Sequence, residues 1–378
     1  MSRSGAEKET TYGQWWGSTE EFVNVRIEPI ERICHAALEQ AGATPDDAHY
    51  ITEICIEKAI SGDDTRGIGR VLGQIRAALS GTLDMHPDIQ VLRETPATAL
   101  IDGGEKASGT LVCRRAMDMA IEKARTQGIG WVGARAQGEL LVPYVKQATS
   151  AGMVGMVFIQ SFATVAPLGG FQPLLGNAPV AFGVPAGKNE PFIIDMSITQ
   201  TSASGVFLSA KQDQQVPENL ILDEHGDPST TARDFPDMEL LEKGPMAAKG
   251  SLLPLGGGHK GYALVLMVGL LSALLSDTSF PWELAHGMDS GGRYGSLLMA
   301  VDPGAFTDEA SFRARSDEFL DVVKGSPKKA GVDEILYPGQ RSQRLIRERR
   351  EAGDALIPAS HYHGLVELAK EIGLDGAL

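Results

Sequence analysis

The chain has 378 residues, 43% hydrophobic and 22% charged, with a formal net charge of −15. A chain of this length buries a large core and forms two or three substructures, because single cores stop growing near roughly 250–300 residues. The acidic balance argues against a phosphate-backbone partner and an anionic membrane surface, so any bound anion must be held locally. Cys34, Cys55 and Cys113 lie far apart without CxxC spacing, which suggests neither a disulfide framework nor a zinc site. They read as buried thiols in a reducing compartment. No apolar run follows the basic residue near the N-terminus, so no secretory signal is read and the expected location is the cytoplasm.

Residues 1–20 read as a polar arm carrying Trp15 and Trp16. From Val23 to Ala41 apolar residues recur at helical spacing and Gly42 ends the run. A second helix follows Thr44-Pro45-Asp46-Asp47, with Ile51, Ile54, Cys55, Lys58 and Ala59 along one side. Asp63-Asp64-Thr65-Arg66-Gly67-Ile68-Gly69-Arg70 is then a polar turn into a helix from Val71 to Leu79. Its two guanidiniums offer bidentate forks for a carboxylate, although an N-cap with surface ion pairs accounts for the same residues. Ile89–Leu92 and Ala99–Asp102 read as short strands, and Ser108 opens a helix to about Thr126. Gly128–Ala134 is strand-like and delivers the loop Arg135–Pro143 to a helix around Tyr144–Ser150.

Gly155–Gln160 is a further strand, followed by a long Gly/Pro-rich connection from Ser161 to Pro179. Such a connection inside a compact domain is functional when ordered, and its apolar residues argue for order. Pro191–Ser197 is a strand ending in Asp195 and Ser197. Lys211–Lys249 reads as a surface excursion with little core. Ser251–Ser276 stands apart, because a turn with Gly256, Gly257, Gly258, His259, Lys260 and Gly261 runs into an uninterrupted apolar segment. Glycines let backbone amides approach an anion, and Lys260 adds a point charge. Tyr262–Leu275 is apolar on every side, so it reads as a buried helix; it is too short for the roughly 20 residues that cross a bilayer. A strand Ser296–Val301 follows, then a helix from about Asp308 to Val323 with Phe312, Phe319, Leu320 and Val323 inward. Tyr337-Pro338-Gly339-Gln340-Arg341 is a turn before two closing helices. His361 and His363 read as surface residues.

No GxGxxG follows a strand, and GxSxG, HExxH, P-loop and CxxC patterns are missing. The residues alone therefore define a soluble α/β enzyme-like chain with an anion pocket at Lys260.

The ordered landmarks resemble the malate/L-lactate dehydrogenase family that does not use the Rossmann fold, which includes ureidoglycolate and sulfolactate dehydrogenases and cyclic-imine reductases. They are Asp64-Thr65-Arg66-Gly67-Ile68-Gly69-Arg70 against S-H-G-x-x-R, Ala166-Pro167-Leu168-Gly169-Gly170, Gly176-Asn177-Ala178-Pro179, Ile194-Asp195-Met196-Ser197, Asp223-Glu224-His225-Gly226-Asp227-Pro228, His259-Lys260-Gly261-Tyr262 and Tyr337-Pro338-Gly339-Gln340. The resemblance implies a mixed, largely antiparallel sheet wrapped by helices, with a helical domain formed from both termini (1–95 with 305–378). The cofactor domain would be 96–304, with an irregular insertion at 211–249. It implies NADH or NADPH, a homodimer and no metal. Asp195, Met196, Ser197, Thr199 and Thr201 would lie along the nicotinamide nucleotide, Ser161 near its ribose, and His259, Lys260, Gly339 and Gln340 around its phosphates and adenosine end.

The family's two motif histidines have no counterpart here: Arg66 stands in one motif, and the loop Ala134–Leu140 contains none. A ketone needs a proton donor as hydride arrives, worth roughly 10²–10⁴-fold, whereas an iminium already carries its proton. The expectation is therefore reduction of a small carboxylate-bearing imine, cyclic in the family's terms, with Arg66 and Arg70 as clamp and Asp64, Glu139 or Tyr144 as proton relay. The alternatives are a 2-oxo/2-hydroxy acid enzyme with an unusual donor, and a repurposed non-redox enzyme or cofactor-binding pseudoenzyme.

Overall fold

The computed structural model describes residues 19–62, 67–239, 247–285 and 293–376. The arm at 1–18 and the candidates Asp64 and Arg66 lie outside the described residues.

The two ends of the chain meet first. β1 (Phe22–Arg26) feeds α1 (Ile27–Gln40), α2 (Pro45–Ile60) and α3 (Ile68–Leu79). The start of α2 is fixed by Thr44, whose hydroxyl accepts the Asp47 amide at 3.2 Å, and by Pro45 in the first turn. Ile30, Ile33, Ile51, Ile56, Val71 and Ile75 of these helices share one core with Ile357, Leu365 and Leu368 from the other end of the chain.

The chain then builds the central sheet from β2 (Gln90–Glu94), β3 (Thr98–Asp102), β4 (Ile129–Arg135), β5 (Val154–Ile159), β8 (Pro179–Val184), β9 (Phe192–Ser197) and β13 (Ser296–Val301), with β6 (Ala163–Val165) and β7 (Leu175–Gly176) as a separate hairpin. The order is β2-β3-β4-β13-β5-β8-β9. The β3·β4 pair is parallel and the other pairs run antiparallel, so the sheet is mixed and largely antiparallel, as expected. α4 (Gly109–Gln127) and α5 (Val142–Ser150) cover one face, packing Val112, Ala116, Ala120, Tyr144 and Val145 on Val132, Val157 and Leu298.

After β9 the chain forms α6 (Ala203–Lys211) and a small sheet, β11-β10-β12, from β10 (Ile221–Leu222), β11 (Pro228–Ser229) and β12 (Ser251–Leu252). The expectation of little core between Lys211 and Lys249 is corrected here. Val216, Ile221, Ala232 and Phe235 are buried with Val206, Phe207 and Leu252 in a core of their own. Two-residue strands are too short to show an alternating pattern.

α7 (His259–Leu274) covers part of the opposite sheet face through Val265 and Val268. Its expected burial on all sides is also corrected: Leu264, Met267, Leu270 and Leu274 are 40–61% exposed. An all-round apolar helix needs two partners, and among the described residues α7 packs on the sheet side alone. α8 (Pro281–Ala285) precedes β13, and α9 (Glu309–Lys324) packs Leu320 on Ala186 and Tyr337. Phe319, expected inward, is 66% exposed. α10 (Gln340–Ala352), β14 (Asp354–Pro358) and α11 (Ala359–Glu371) return to the first helices, β14 pairing antiparallel with β1. Among the described residues no helix is long and apolar enough to cross a membrane, and no group of three His, Cys, Asp or Glu is placed to hold a metal.

Candidate active site

Beyond β9 the backbone continues in extended form and pairs with the glycine turn before α7. Leu255 donates its amide to the Ile198 carbonyl, Gln200 donates to Leu253, and the Gln200 side chain accepts the Gly256 amide at 3.1 Å. The segment Asp195–Thr201 and the turn Gly256–Lys260, far apart in sequence, are thereby neighbours. Gly256 and Gly257 have φ of 73° and 65°, which side chains disfavour. A Cβ on Gly261 would lie 2.0 Å from the Leu255 carbonyl oxygen, so only glycine admits this close approach.

The first turn of α7 has Gly258 as its cap, no side-chain cap and no acidic residue. His259 and Lys260 are exposed there. Open amides at a helix N-terminus beside an ammonium suit a phosphate. At the opposite end of β9, the Ile193 amide donates to the Pro338 carbonyl, and Gly339, with φ of 89°, begins α10. β9 thus runs between two uncapped helix N-termini. Within the same segment, the Thr201 hydroxyl is buried without a hydrogen-bond partner, while Thr199 donates to the Thr201 carbonyl at 2.7 Å. These features fit an elongated dinucleotide.

The individual expectations separate on this geometry. Asp195 and Ser197 share one side of β9, and strand alternation puts Met196 on the other. The Ser161 hydroxyl is buried and donates to Asn177 Oδ1 at 2.5 Å while accepting the Asn177 amide, so it fastens β5 to the next connection rather than facing open space. The side chain of Gln340 accepts the Tyr337 amide.

The other half of the site is the seam where α2 and α3 meet the sheet. Arg70 Nε donates to Glu139 Oε2 at 2.5 Å, and Gln74 Nε2 donates to the same oxygen. Both Arg70 and Glu139 are about a third exposed, so the pair borders an opening. Lys58 Nζ lies 3.9 Å from Asp195 Oδ2. Cys55, one turn before Lys58, is fully buried, which pushes its thiol up, and it feels the charges of Glu139 and Arg70. Cys55 thus ties the helix that carries Lys58 to the Arg70–Glu139 pair at the same seam. Lys58 was visible in the sequence only as a lysine on the apolar side of a helix.

Tyr144 is corrected as a proton relay. It is fully buried, its hydroxyl is 3.5 Å from the Thr110 carbonyl, and burial raises its phenol well above the ordinary value. His361 is also corrected: its ring is half-buried behind the start of α3, and a Cβ on Gly69 would come within 2.5 Å of Nε2. Desolvation lowers its imidazole below the ordinary value.

A mixed, largely antiparallel sheet whose strand β9 runs between two uncapped helix N-termini is an architecture distinct from the Rossmann fold. The family profile of malate/L-lactate dehydrogenase matches residues 25–365, and the chain belongs to that family of NAD(P)-dependent oxidoreductases. It is 35% identical to L-sulfolactate dehydrogenase of Methanothermobacter thermautotrophicus, over 87% of this chain and 92% of the relative. It is 28% identical to the Delta(1)-pyrroline-2-carboxylate/Delta(1)-piperideine-2-carboxylate reductase of Pseudomonas putida, over 94% and 97%. Malate dehydrogenase of Entamoeba histolytica superposes with a TM-score of 0.84 at 25% identity, covering 93% of this chain and 99% of that one.

Proposed function

We propose that the protein is an NAD(P)H-dependent reductase of a small 2-oxo acid, working in the cleft between α2, α3 and β9. The observation that carries this reading is the pairing of Ser197–Thr201 with the turn before α7, at one end of a strand whose Asp195 faces the charged seam. One ligand then spans phosphate-binding amides and the reaction cleft. When bound, the cofactor supplies hydride. Lys260 and the α7 amides hold its phosphate oxygens, Thr199 and Thr201 line its path, and Arg70, oriented by Glu139, receives the substrate carboxylate.

A 2-oxo acid takes precedence over the imine because the relatives of higher identity are named for hydroxy acids: L-sulfolactate dehydrogenase at 35% and malate/(S)-sulfolactate dehydrogenase of Methanothermus fervidus at 30%. The imine reading stays second, favoured by a cleft loop that presents Glu139 and not an imidazole. Steady-state rates with oxaloacetate, pyruvate and a cyclic imine acid separate them: turnover confined to the imine acid would reject the 2-oxo acid.

The working unit in this reading is a homodimer. The outward face of α7, Leu264, Met267, Leu270 and Leu274, carries no charge in a chain of net −15, so it is where two copies can approach without repulsion. We also propose that the chain divides into 1–95 with 305–378 and 96–304, although α9 rests against the sheet side through Ala186 and Asp317.

A further inference from the structure

We propose that the cavity beneath α9 is a binding site for an amphipathic carboxylate, an acid with an alkyl body, whose head group is held by Arg315. The inference goes beyond the reductase reading and does not depend on it. None of the residues that line this cavity belongs to the glycine turn, to Asp195–Thr201 or to the Arg70–Glu139 pair.

The cavity measures about 590 Å³, inside the range of roughly 300–1,000 Å³ that small-molecule pockets occupy. Its floor is the end of the central sheet, where the Phe182 and Phe192 rings of the paired strands β8 and β9 meet edge to face with centroids 6.3 Å apart. Phe312 and Phe319 of α9 belong to the opposite wall. That wall is fixed. Asp317 accepts the amides of Gly187, Lys188 and Asn189 at 3.2, 2.8 and 2.9 Å, and Arg313 donates to the Ala186 carbonyl at 3.2 Å. α9 is thus pinned to the loop after β8 rather than free to settle on the sheet and close the space.

The lining defines the ligand. Four phenyl rings and three aliphatic side chains surround the space, which suits a hydrocarbon body. Arg315 is the charged group among the lining residues, and no carboxylate stands with it, in a chain of 49 acidic and 34 basic residues. Among the described residues Arg315 makes no hydrogen bond or ion pair. The acids of its own helix are engaged elsewhere: Glu309 by Arg313, Asp317 by the loop amides, and Asp321 by Lys188 and Lys324. Glu318 lines a separate surface hollow beside Lys188. Arg315 is itself exposed, so the head group lies at the mouth and the alkyl body within. A planar guanidinium matches a carboxylate through two parallel hydrogen bonds, whereas a cationic head is repelled and a neutral one leaves the charge unanswered.

A second copy of the chain is the competing occupant, because Phe319 and Val322 of the same helix are 66% and 69% exposed. Charge favours the small acid. In a two-fold contact the same patch faces itself, and the lining of this cavity offers no carboxylate to Arg315.

The test is calorimetric titration of the full chain with octanoate, using 1-octanol as the uncharged probe, on the wild type and the variants R315M and S316W. The expected result is saturable octanoate binding that weakens roughly tenfold or more in R315M, while 1-octanol binds wild type and R315M alike. S316W fills the cavity from a partly buried lining position and abolishes binding of both probes, with native circular dichroism. No octanoate binding by the wild type, or equal binding by all three proteins, would overturn the proposal. Displacement of octanoate by saturating NADH or NADPH would overturn it too, by making the cavity part of the cofactor site. A dimeric wild type that becomes monomeric in S316W, with octanoate bound by neither, would assign this face to a second copy instead.

Discussion

Arg70 on α3 and Glu139, from the loop after β4, meet at 2.5 Å across the seam between the first helices and the sheet, and Gln74 one turn later takes the same carboxylate oxygen. The relationship fixes the guanidinium while leaving it about a third exposed, which suits the proposed role of Arg70 toward a substrate carboxylate.

Glu139→Ala therefore affects binding more than folding. The pair is about a third exposed, so its loss changes unfolding stability by no more than about 1 kcal/mol, while the substrate KM rises because Arg70 is no longer aimed. Urea unfolding and steady-state kinetics on one preparation check both halves. A large stability loss with unchanged KM would contradict the role given to Glu139.

Two glycines of one helical segment predict opposite outcomes. A Cβ on Gly67 would sit 2.6 Å from the Ala59 Cβ and 2.7 Å from its Cα, whereas Gly73, inside α3, has nothing within 4 Å. G67A should destabilise by about 1–3 kcal/mol through overpacking. G73A should stabilise by about 0.5–1 kcal/mol because alanine loses less backbone freedom in a helix. Denaturant midpoints of the two variants give the comparison.

Lys260→Ala should weaken NAD(P)H binding without lowering stability, since Lys260 is exposed beside the open amides of α7. A hydrogen bond to a charged group contributes about 1.5–3 kcal/mol, so the loss is roughly 10- to 100-fold. The salt dependence of binding should flatten as well. Titration at low and high ionic strength reads both effects.

Stability should fall on the acid side through His361. Its folded pKa lies below the unfolded value of about 6.5 because burial disfavours the imidazolium. The unfolded state thus binds more protons as pH drops below about 6.5, so the stabilisation is complete above that pH and is lost on passing down through the folded pKa. His361→Gln should flatten this part of the curve, measured as urea midpoints from about pH 5 to pH 8.

Charging the outward face of α7 should dissociate the proposed dimer. Met267→Glu with Leu274→Glu places carboxylates on residues 43% and 61% exposed, so the fold tolerates them. Sedimentation should report a monomer with native circular dichroism; a dimer of unchanged stability would place the interface elsewhere.

The terminal helices were legible because Ile30, Ile33 and Ala37 recur on one side of α1 and return to the core at that spacing. α7 was misread for a physical reason: a uniformly apolar helix carries no pattern that separates a partner within the chain from one outside it. The glycine turn was legible as a turn, and the structure sets it beside Thr199 and Gln200. The cleft itself was not legible. Arg70 and Glu139 are separated by 69 residues, and Lys58 and Asp195 belong to different motifs, so their meeting depends on how α2 docks on the sheet. Tyr144 looked available because its place after a loop says nothing about the core that closes over it.

The most direct measurement is titration of the wild type and K260A with NADH and NADPH, following nicotinamide fluorescence. The account predicts saturable binding of at least one reduced cofactor by the wild type and clearly weaker binding by K260A. Failure of the wild type to bind either one would contradict the cofactor site between α7 and β9, and with it the reductase.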